Sequence, residues 1–244
     1  MDFTIEKYKE LLKVLNECKH HRIRHDVDLR PEYSLRVAQV EARMGMNSTY
    51  YFRSMHFRSH EDTIRAIVAL GHEAGFHYEC LTTTKGNIES AYHLFIDELE
   101  ELRHLVPVHT ACAHGSPRSP YNSQDIWKQY DIRPLGIEYE PMLDTDFSQT
   151  LYLTDTGRRW DGFRVSVRDK VPQYQEQWVK EGLVFHSTDD IIHAINDIYH
   201  PIHNYSLLIN THPQRWMPFG TGWLKEALCQ NAKNIVKRII VSTK

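Results

Sequence analysis

The sequence predicts an α/β fold built on a parallel sheet of the kind that closes into a barrel. Short apolar or aromatic runs alternate with segments of helical periodicity, which is typical of consecutive βα units. The length of 244 residues suits an α/β barrel that forms one domain. We therefore expect a single domain over residues 1–244.

The first four βα units are the clearest. Residues 22–27 predict a strand, and helical spacing follows from Pro31, which suits a first helical turn, to Gly45, which suits a helix end. Further strands are predicted at 48–52, 73–77 and 108–113, with helices at 61–70, 88–105 and 123–130. The later pattern predicts strands at 135–139, 151–154, 183–185 and 207–210, with helices at 188–199 and 223–237.

Composition excludes several classes of protein. The formal net charge of −3 argues against a nucleic-acid partner, which would require a basic face. Residues 1–20 are charged throughout, and no run of about 18 apolar residues follows, so we expect neither a signal peptide nor membrane insertion. The four cysteines form no CxxC pair. These features together predict a cytoplasmic protein of unknown oligomeric state.

The most informative residues are Asp26 and Asp28, which lie two apart at the end of the first predicted strand. Alternate residues of a strand share a face, so both carboxylates are expected to point the same way. Two carboxylates so close together are costly unless a cation or a shared proton relieves the repulsion. A solvated acidic turn is the alternative interpretation.

Other metal-competent side chains also follow predicted strands. His77 and Glu79 follow the third strand, His114 the fourth, and His212 the last. The carboxyl ends of the strands carry the active site in an α/β barrel. This placement favours a functional site over isolated structural histidines.

The order of these motifs resembles the polysaccharide deacetylase superfamily, also called NodB-homology or carbohydrate esterase family 4. The resemblance rests on His-Asp-Val-Asp at 25–28, Gly-His-Glu-Ala-Gly-Phe-His-Tyr-Glu at 71–79, Ala-His-Gly-Ser-Pro at 113–117 and Thr-His-Pro-Gln-Arg-Trp at 211–216. It covers about residues 22–216 and is nearest to divergent members associated with bacterial surface-polysaccharide biosynthesis, where residues 154–161 also fit. It implies an irregular (β/α)7-type barrel.

The resemblance also implies roles for individual residues. Asp26 would be the catalytic base, Asp28 and His77 would bind a metal ion, and His212 would be the general acid. The family's second metal histidine falls at position 81, where this chain has leucine.

Two residues are candidates for the third ligand. Glu79 would share the face of His77 if the chain stays extended, whereas His114 ends the neighbouring strand and offers a nitrogen ligand. We favour His114. The ion would then be one divalent metal, with zinc expected and cobalt or nickel as alternatives.

Five further residues are expected to contact substrate or support the site. Aromatic rings can stack on a sugar face, and guanidinium groups can bind a carboxylate or phosphate. The stacking candidates are Trp160 and Trp216, and the anion-binding candidates are Arg118, Arg168 and Arg215. The family also supplies an arginine to its base and an acid to its histidine, for which Arg118, Arg168 and Asp169 are candidates.

The implied reaction is hydrolysis of an N-acetyl or N-formyl group on an amino sugar. The expected substrate is a small-molecule amino sugar or a nucleotide-linked sugar. Two other functions remain open: a catalytically inactive, carbohydrate-binding protein of the same fold, for which Leu81 is the evidence, and a metal-dependent glycosyltransferase that uses Asp-x-Asp.

Overall fold

The computed structural model describes residues 1–18, 20–116, 119–164, 166 and 168–242, with side chains described as far as residue 235. Its strands are β1 (His21–Val27), β2 (Thr49–Phe52), β3 (Glu73–Tyr78), β4 (Ala111–Ala113), β5 (Thr150–Thr154) and β6 (Ser206–Thr211). Its α-helices are α1 (Ile5–Glu17), α2 (Pro31–Arg43), α3 (Glu61–Ala69), α4 (Cys80–Thr83), α5 (Ile88–Arg103), α6 (Pro141–Asp144), α7 (Pro172–Lys180), α8 (Thr188–Asn196) and α9 (Thr221–Ser242).

The chain divides into two compact units. The first unit contains Met1–Arg24, Arg43–Met46 and Asp146–Lys244, and the second contains His25–Ala42 and Asn47–Thr145. The structure confirms the predicted α/β fold class, because parallel strands alternate with helices along the chain. The single domain over residues 1–244 stays a prediction.

In the second unit the strand order is β4-β3-β2-β1, where β1 contributes its residues from His25 onward. Parallel pairing places Phe52 beside Phe76 and His77 beside Cys112. The core beneath these strands is aromatic, and the ring of Phe95 in α5 lies 5.0 Å from Phe76 and 4.8 Å from Trp127 between ring centroids. The buried helix face therefore fixes the strands whose ends carry the predicted ligands.

Gly75 in β3 brings two strands of the second unit close together. It pairs with Tyr51, and a Cβ at this position would lie 2.5 Å from the Tyr51 ring. The absence of a side chain lets the Tyr51 ring lie across β3, with its centroid 6.5 Å from that of His77. Gly75 therefore shapes the packing around a predicted metal ligand.

A buried carboxylate joins α2 to the strands of the second unit. Glu41 is fully buried, accepts a hydrogen bond from the Tyr50 hydroxyl at 2.6 Å, and contacts His25 Nε2 at 2.9 Å. The rings of His25 and Tyr50 stack at 4.2 Å. One buried acidic side chain thus contacts polar groups of two strands, β1 and β2.

In the first unit β5 and β6 pair in parallel, with Thr154 beside Asn210, and the strand order is β1-β6-β5, where β1 contributes its residues up to Arg24. Helix α1 begins at a Thr4 cap, whose side chain accepts a hydrogen bond from Lys7 N–H. Helix α8 begins with a capping box between Ser187 and Asp190. Within the described portion of the chain, no helix is long and apolar enough to cross a membrane.

Several predicted elements were wrong in type or extent, of which four change the description of the chain most. Residues 135–139 form no strand, because Gly136 adopts a φ of 73° after a 3₁₀ turn, and only an isolated bridge joins Tyr139 to Thr110. Residues 183–185 follow Gly182, which has a φ of 77°, and form no strand. The helix predicted at 188–199 ends at Asn196, and the one at 123–130 is a 3₁₀ helix over Ser123–Lys128.

Candidate functional site

Three predicted metal ligands converge in the second unit. Asp28 follows β1, His77 lies in β3, and His114 follows β4. Asp28 Oδ1 lies 3.4 Å from His77 Nε2 and 3.5 Å from His114 Nε2. The potential ligand atoms of all three lie within 4.8 Å of one another. Two imidazole nitrogens and one carboxylate oxygen are a donor set that suits zinc, so these residues fit the predicted ion.

A backbone hydrogen bond orients the His77 ring. Its Nδ1 lies 2.9 Å from the carbonyl oxygen of Cys112. A carbonyl only accepts, so Nδ1 carries the proton and Nε2 keeps its lone pair toward Asp28. Burial lowers the pKa of His77, but the carboxylates of Asp26 and Asp28 outweigh burial and raise it. The same negative field would stabilise a bound cation.

The structure gives His114 and Glu79 different positions. His114 turns Nε2 toward Asp28, while its Nδ1 contacts Glu79 Oε2 at 2.9 Å. Glu79 also pairs with Arg53. Burial raises the pKa of Glu79, but its hydrogen bonds with His114 and Arg53 outweigh burial and lower it to about 2. A carboxylate behind a histidine is the usual arrangement for orienting a metal ligand.

Sequence reasoning missed Arg53, although a signal for it was present. It directly follows β2, at the same end of a strand as the predicted ligands. Leu81, at the family's second histidine position, lies in α4 and is buried in the apolar core of the second unit. Its side chain packs among other apolar groups there, and His114 is the second histidine, after His77, that lies beside Asp28.

Asp26 is buried near the end of β1. Its carboxylate is close enough to His77 to raise the pKa of that ring. The structure therefore places the predicted base beside one of the predicted ligands.

The first unit holds His212 against a buried acid that the sequence reasoning missed. His212 Nδ1 lies 2.6 Å from Oδ1 of Asp155, which directly follows β5. Arg215 donates to the same oxygen at 2.5 Å and also lies 2.7 Å from His212 Nδ1. The carboxylate can only accept, so we assign the Nδ1 proton to the bond with Asp155, which makes Nε2 the acceptor nitrogen of the neutral ring.

Asp155 is held in its ionised form. Burial raises its pKa, but the charge of Arg215 and the contact with His212 outweigh burial and lower it. Residues 154–161 also fit the family that the motifs resemble, and they contain this acid at the end of a predicted strand. Asp169, the predicted partner of the histidine, instead accepts hydrogen bonds from Tyr152 and from Thr154 Oγ1, the latter at 2.7 Å.

The structure corrects the stacking role predicted for Trp160 and Trp216, whose side chains are only 5% and 0% exposed. Trp216 packs against Tyr8 at 4.9 Å between ring centroids, and its Nε1 donates to Asp155 Oδ2 at 2.8 Å. Trp160 Nε1 donates to Thr188 Oγ1 at 2.9 Å. Neither ring presents a face to a sugar.

The predicted anion-binding arginines have different outcomes. Arg215 is buried and paired with Asp155, so its guanidinium supports that carboxylate instead of facing an external anion. Arg168 stays a prediction. Arg118 lies outside the described residues.

Comparison with known proteins gives structural matches only. Neither a protein-family model nor a curated protein sequence matches the chain. A carbohydrate esterase of family 4 from Streptococcus mutans matches with a TM-score of 0.47 and 12% identity over 100% of this chain and 89% of its own. A family 4 carbohydrate esterase from Streptomyces lividans, in complex with acetate, matches with a TM-score of 0.43 and 13% identity over 90% of this chain and 89% of its own.

A family 4 pseudoenzyme from Bacillus anthracis also matches, with a TM-score of 0.42 and 12% identity over 90% of this chain. The chain spans 61% of that protein, and 63% of a mutant described as a pseudoenzyme with restored enzymatic activity.

Proposed function

We propose that this protein is a metal-dependent hydrolase that removes an N-acetyl or N-formyl group from an amino sugar. The observation that carries the proposal is the convergence of Asp28, His77 and His114, with the Asp26 carboxylate beside His77. We further propose that the substrate is a small-molecule amino sugar or a nucleotide-linked sugar of surface-polysaccharide biosynthesis. This finer assignment rests on the motif resemblance.

The three ligands would hold one divalent ion, with zinc favoured and cobalt or nickel as alternatives. Such an ion supplies Lewis acidity toward an acyl carbonyl. His77 is prepared for ligation because the Cys112 carbonyl fixes its Nδ1 proton. Glu79 orients His114 through the other ring nitrogen.

Asp26 is the residue that we assign to accepting a proton from the attacking water. A carboxylate in this role must be ionised at the start of the reaction. Asp26 would thus act as the base while Asp28 binds the metal, and neighbouring carboxylates in active sites often take different roles in this way.

We assign His212 to protonating the departing amine. Its contact with Asp155 fixes the orientation of the imidazole, a side chain suited to general acid chemistry. Arg215 and Trp216 in turn hold the Asp155 carboxylate. The proposed base, Asp26, and the proposed acid, His212, can be tested independently by substituting one residue at a time.

The test combines metal analysis with an acyl-release assay. Purified protein should carry about one divalent ion per chain, and Asp28→Ala and His77→Ala should each abolish this. N-acetylated and N-formylated nucleotide sugars, together with the free amino sugars, serve as substrates, and released acetate or formate is measured. Asp26→Asn should keep the ion and lose roughly 10²- to 10⁴-fold in rate.

Each alternative function predicts a different result. A carbohydrate-binding protein would retain sugar affinity and release no acid from any substrate. A glycosyltransferase would consume a nucleotide sugar and release a nucleotide instead of acetate or formate. Full metal occupancy in both the Asp28→Ala and His77→Ala variants would overturn the ligand assignment itself.

A further inference from the structure

A thiol lies beside the candidate metal centre of the second unit. Cys112 in β4 pairs in register with His77 in β3, and it is buried. A sulfur, nitrogen or oxygen ligand atom from each of Cys112, His77 and Asp26 lies within 4.8 Å of the others. Three separate strands therefore bring a second set of potential ligands together, and all three members are buried.

The two sets differ in the cations that they suit. Asp28, His77 and His114 offer one oxygen and two nitrogens, whereas Asp26, His77 and Cys112 offer one oxygen, one nitrogen and one sulfur. A thiolate ligand favours softer cations. His77 belongs to both sets, and its Nδ1 is already bonded to the Cys112 carbonyl. It has one lone pair to give, so it can serve one ion at a time.

We propose that Asp26, His77 and Cys112 form a second cation site that binds a thiophilic divalent ion such as Cd²⁺. The ion replaces the thiol proton, so that a sulfur–metal bond forms as the S–H bond breaks and the proton passes to solvent. No change of oxidation state is involved. The ion also engages Asp26, so it inhibits hydrolysis; that last consequence alone rests on the proposed function.

The test follows Cd²⁺ binding by the ultraviolet thiolate-to-cadmium charge-transfer band. The background is the full-length Cys18→Ser/Cys229→Ser protein, because Cys18 is partly exposed and Cys229 is exposed. Metal-free protein is titrated with Cd²⁺ alone, and the band should saturate at about one ion per chain. Cys112→Ser should abolish the band. Cys80→Ser, which removes a second buried thiol outside the set, should leave it unchanged.

Further variants separate this site from the first one. Cys112→Ser should still bind Zn²⁺ through Asp28, His77 and His114, which also verifies that this variant is folded. His114→Ala should lose Zn²⁺ affinity yet keep the cadmium band. A band that survives Cys112→Ser, or that is absent from the background protein, overturns the proposal. If the band behaves as expected and no substrate is hydrolysed, the proposed function fails and the second site stands.

Discussion

Asp155 accepts more hydrogen bonds than its isosteric replacement could. Its carboxylate takes bonds from Arg215 and Trp216, and from both the ring and the backbone N–H of His212. Asparagine has nearly the same shape but only one acceptor oxygen, and its amide nitrogen donates. In Asp155→Asn, some of these surrounding donors would therefore face the amide nitrogen, which is itself a donor. The buried Arg215 guanidinium would also lose its counter-charge.

The expected destabilisation follows from the burial of the pair. Asp155 is fully buried and the Arg215 side chain is 8% exposed. Removing one partner of a buried ion pair costs about 3–5 kcal/mol. Asparagine keeps one acceptor, which favours the lower end, about 3 kcal/mol. For a chain of this length, the corresponding fall in Tm is about 6–12 °C.

The measurement is urea unfolding followed by tryptophan fluorescence, since Trp160, Trp178, Trp216 and Trp223 all belong to the first unit. The matched control is Asp146→Asn, in which an exposed carboxylate with local bonds to Ser148 is changed in the same way. The control should leave the urea midpoint unchanged. A loss in Asp155→Asn of less than about 1 kcal/mol would refute the reasoning from a buried pair.

The remaining predictions concern pH, metal affinity and the second unit's buried network. The folded-state pKa of Asp155 lies below its ordinary value of 3.8, so its stabilisation is present above that value and is lost as the pH falls through the folded-state pKa. The stability gap between wild type and Asp155→Asn should accordingly shrink in acid urea titrations. Glu79→Gln should weaken zinc binding by about 10- to 100-fold in a chelator competition, and His114→Ala should weaken it more; the reverse ranking would make Glu79 the ligand. Glu41→Ala should destabilise the protein by about 3 kcal/mol in urea unfolding, because it removes a fully buried carboxylate that contacts His25 and accepts a hydrogen bond from the Tyr50 hydroxyl; an unchanged midpoint would contradict this.

The strands that carry the metal cluster could be predicted because their sequences are locally consistent. Asp26 and Asp28 end an apolar run, and His77 and His114 each stand at or just past the end of another. Parallel strands bring their carboxyl ends to one edge, so spacing along the chain was enough to predict which groups would meet. The sequence could not separate the roles of His114 and Glu79, because that depends on which ring nitrogen faces which carboxylate.

Other features depended on contacts that local patterns do not encode. Asp155 was missed because the acid was sought at Asp169, and only the pairing of β5 with β6 places residue 155 beside His212. The buried state of Trp216 follows from packing against Phe3 and Tyr8, in a segment whose charged residues concealed helix α1. The positive φ of Gly136 is one such feature, and it prevents the strand predicted at 135–139.

The short strand β4 has a consequence for how quickly an ion could leave. Its three residues form the edge of the second unit's sheet, where Ala111 N–H donates to Tyr139 O at 3.2 Å and Ala113 N–H donates to Glu140 Oε1 at 3.1 Å. The edge carries the carbonyl that orients His77 and leads directly into His114. A brief local opening of this edge would disturb two ligands together. The rate of amide hydrogen exchange in β4 and the dissociation rate of the metal should therefore vary together. The hydrogen bonds from β4 to Tyr139 and Glu140 would slow both processes, because they hold this edge strand in place.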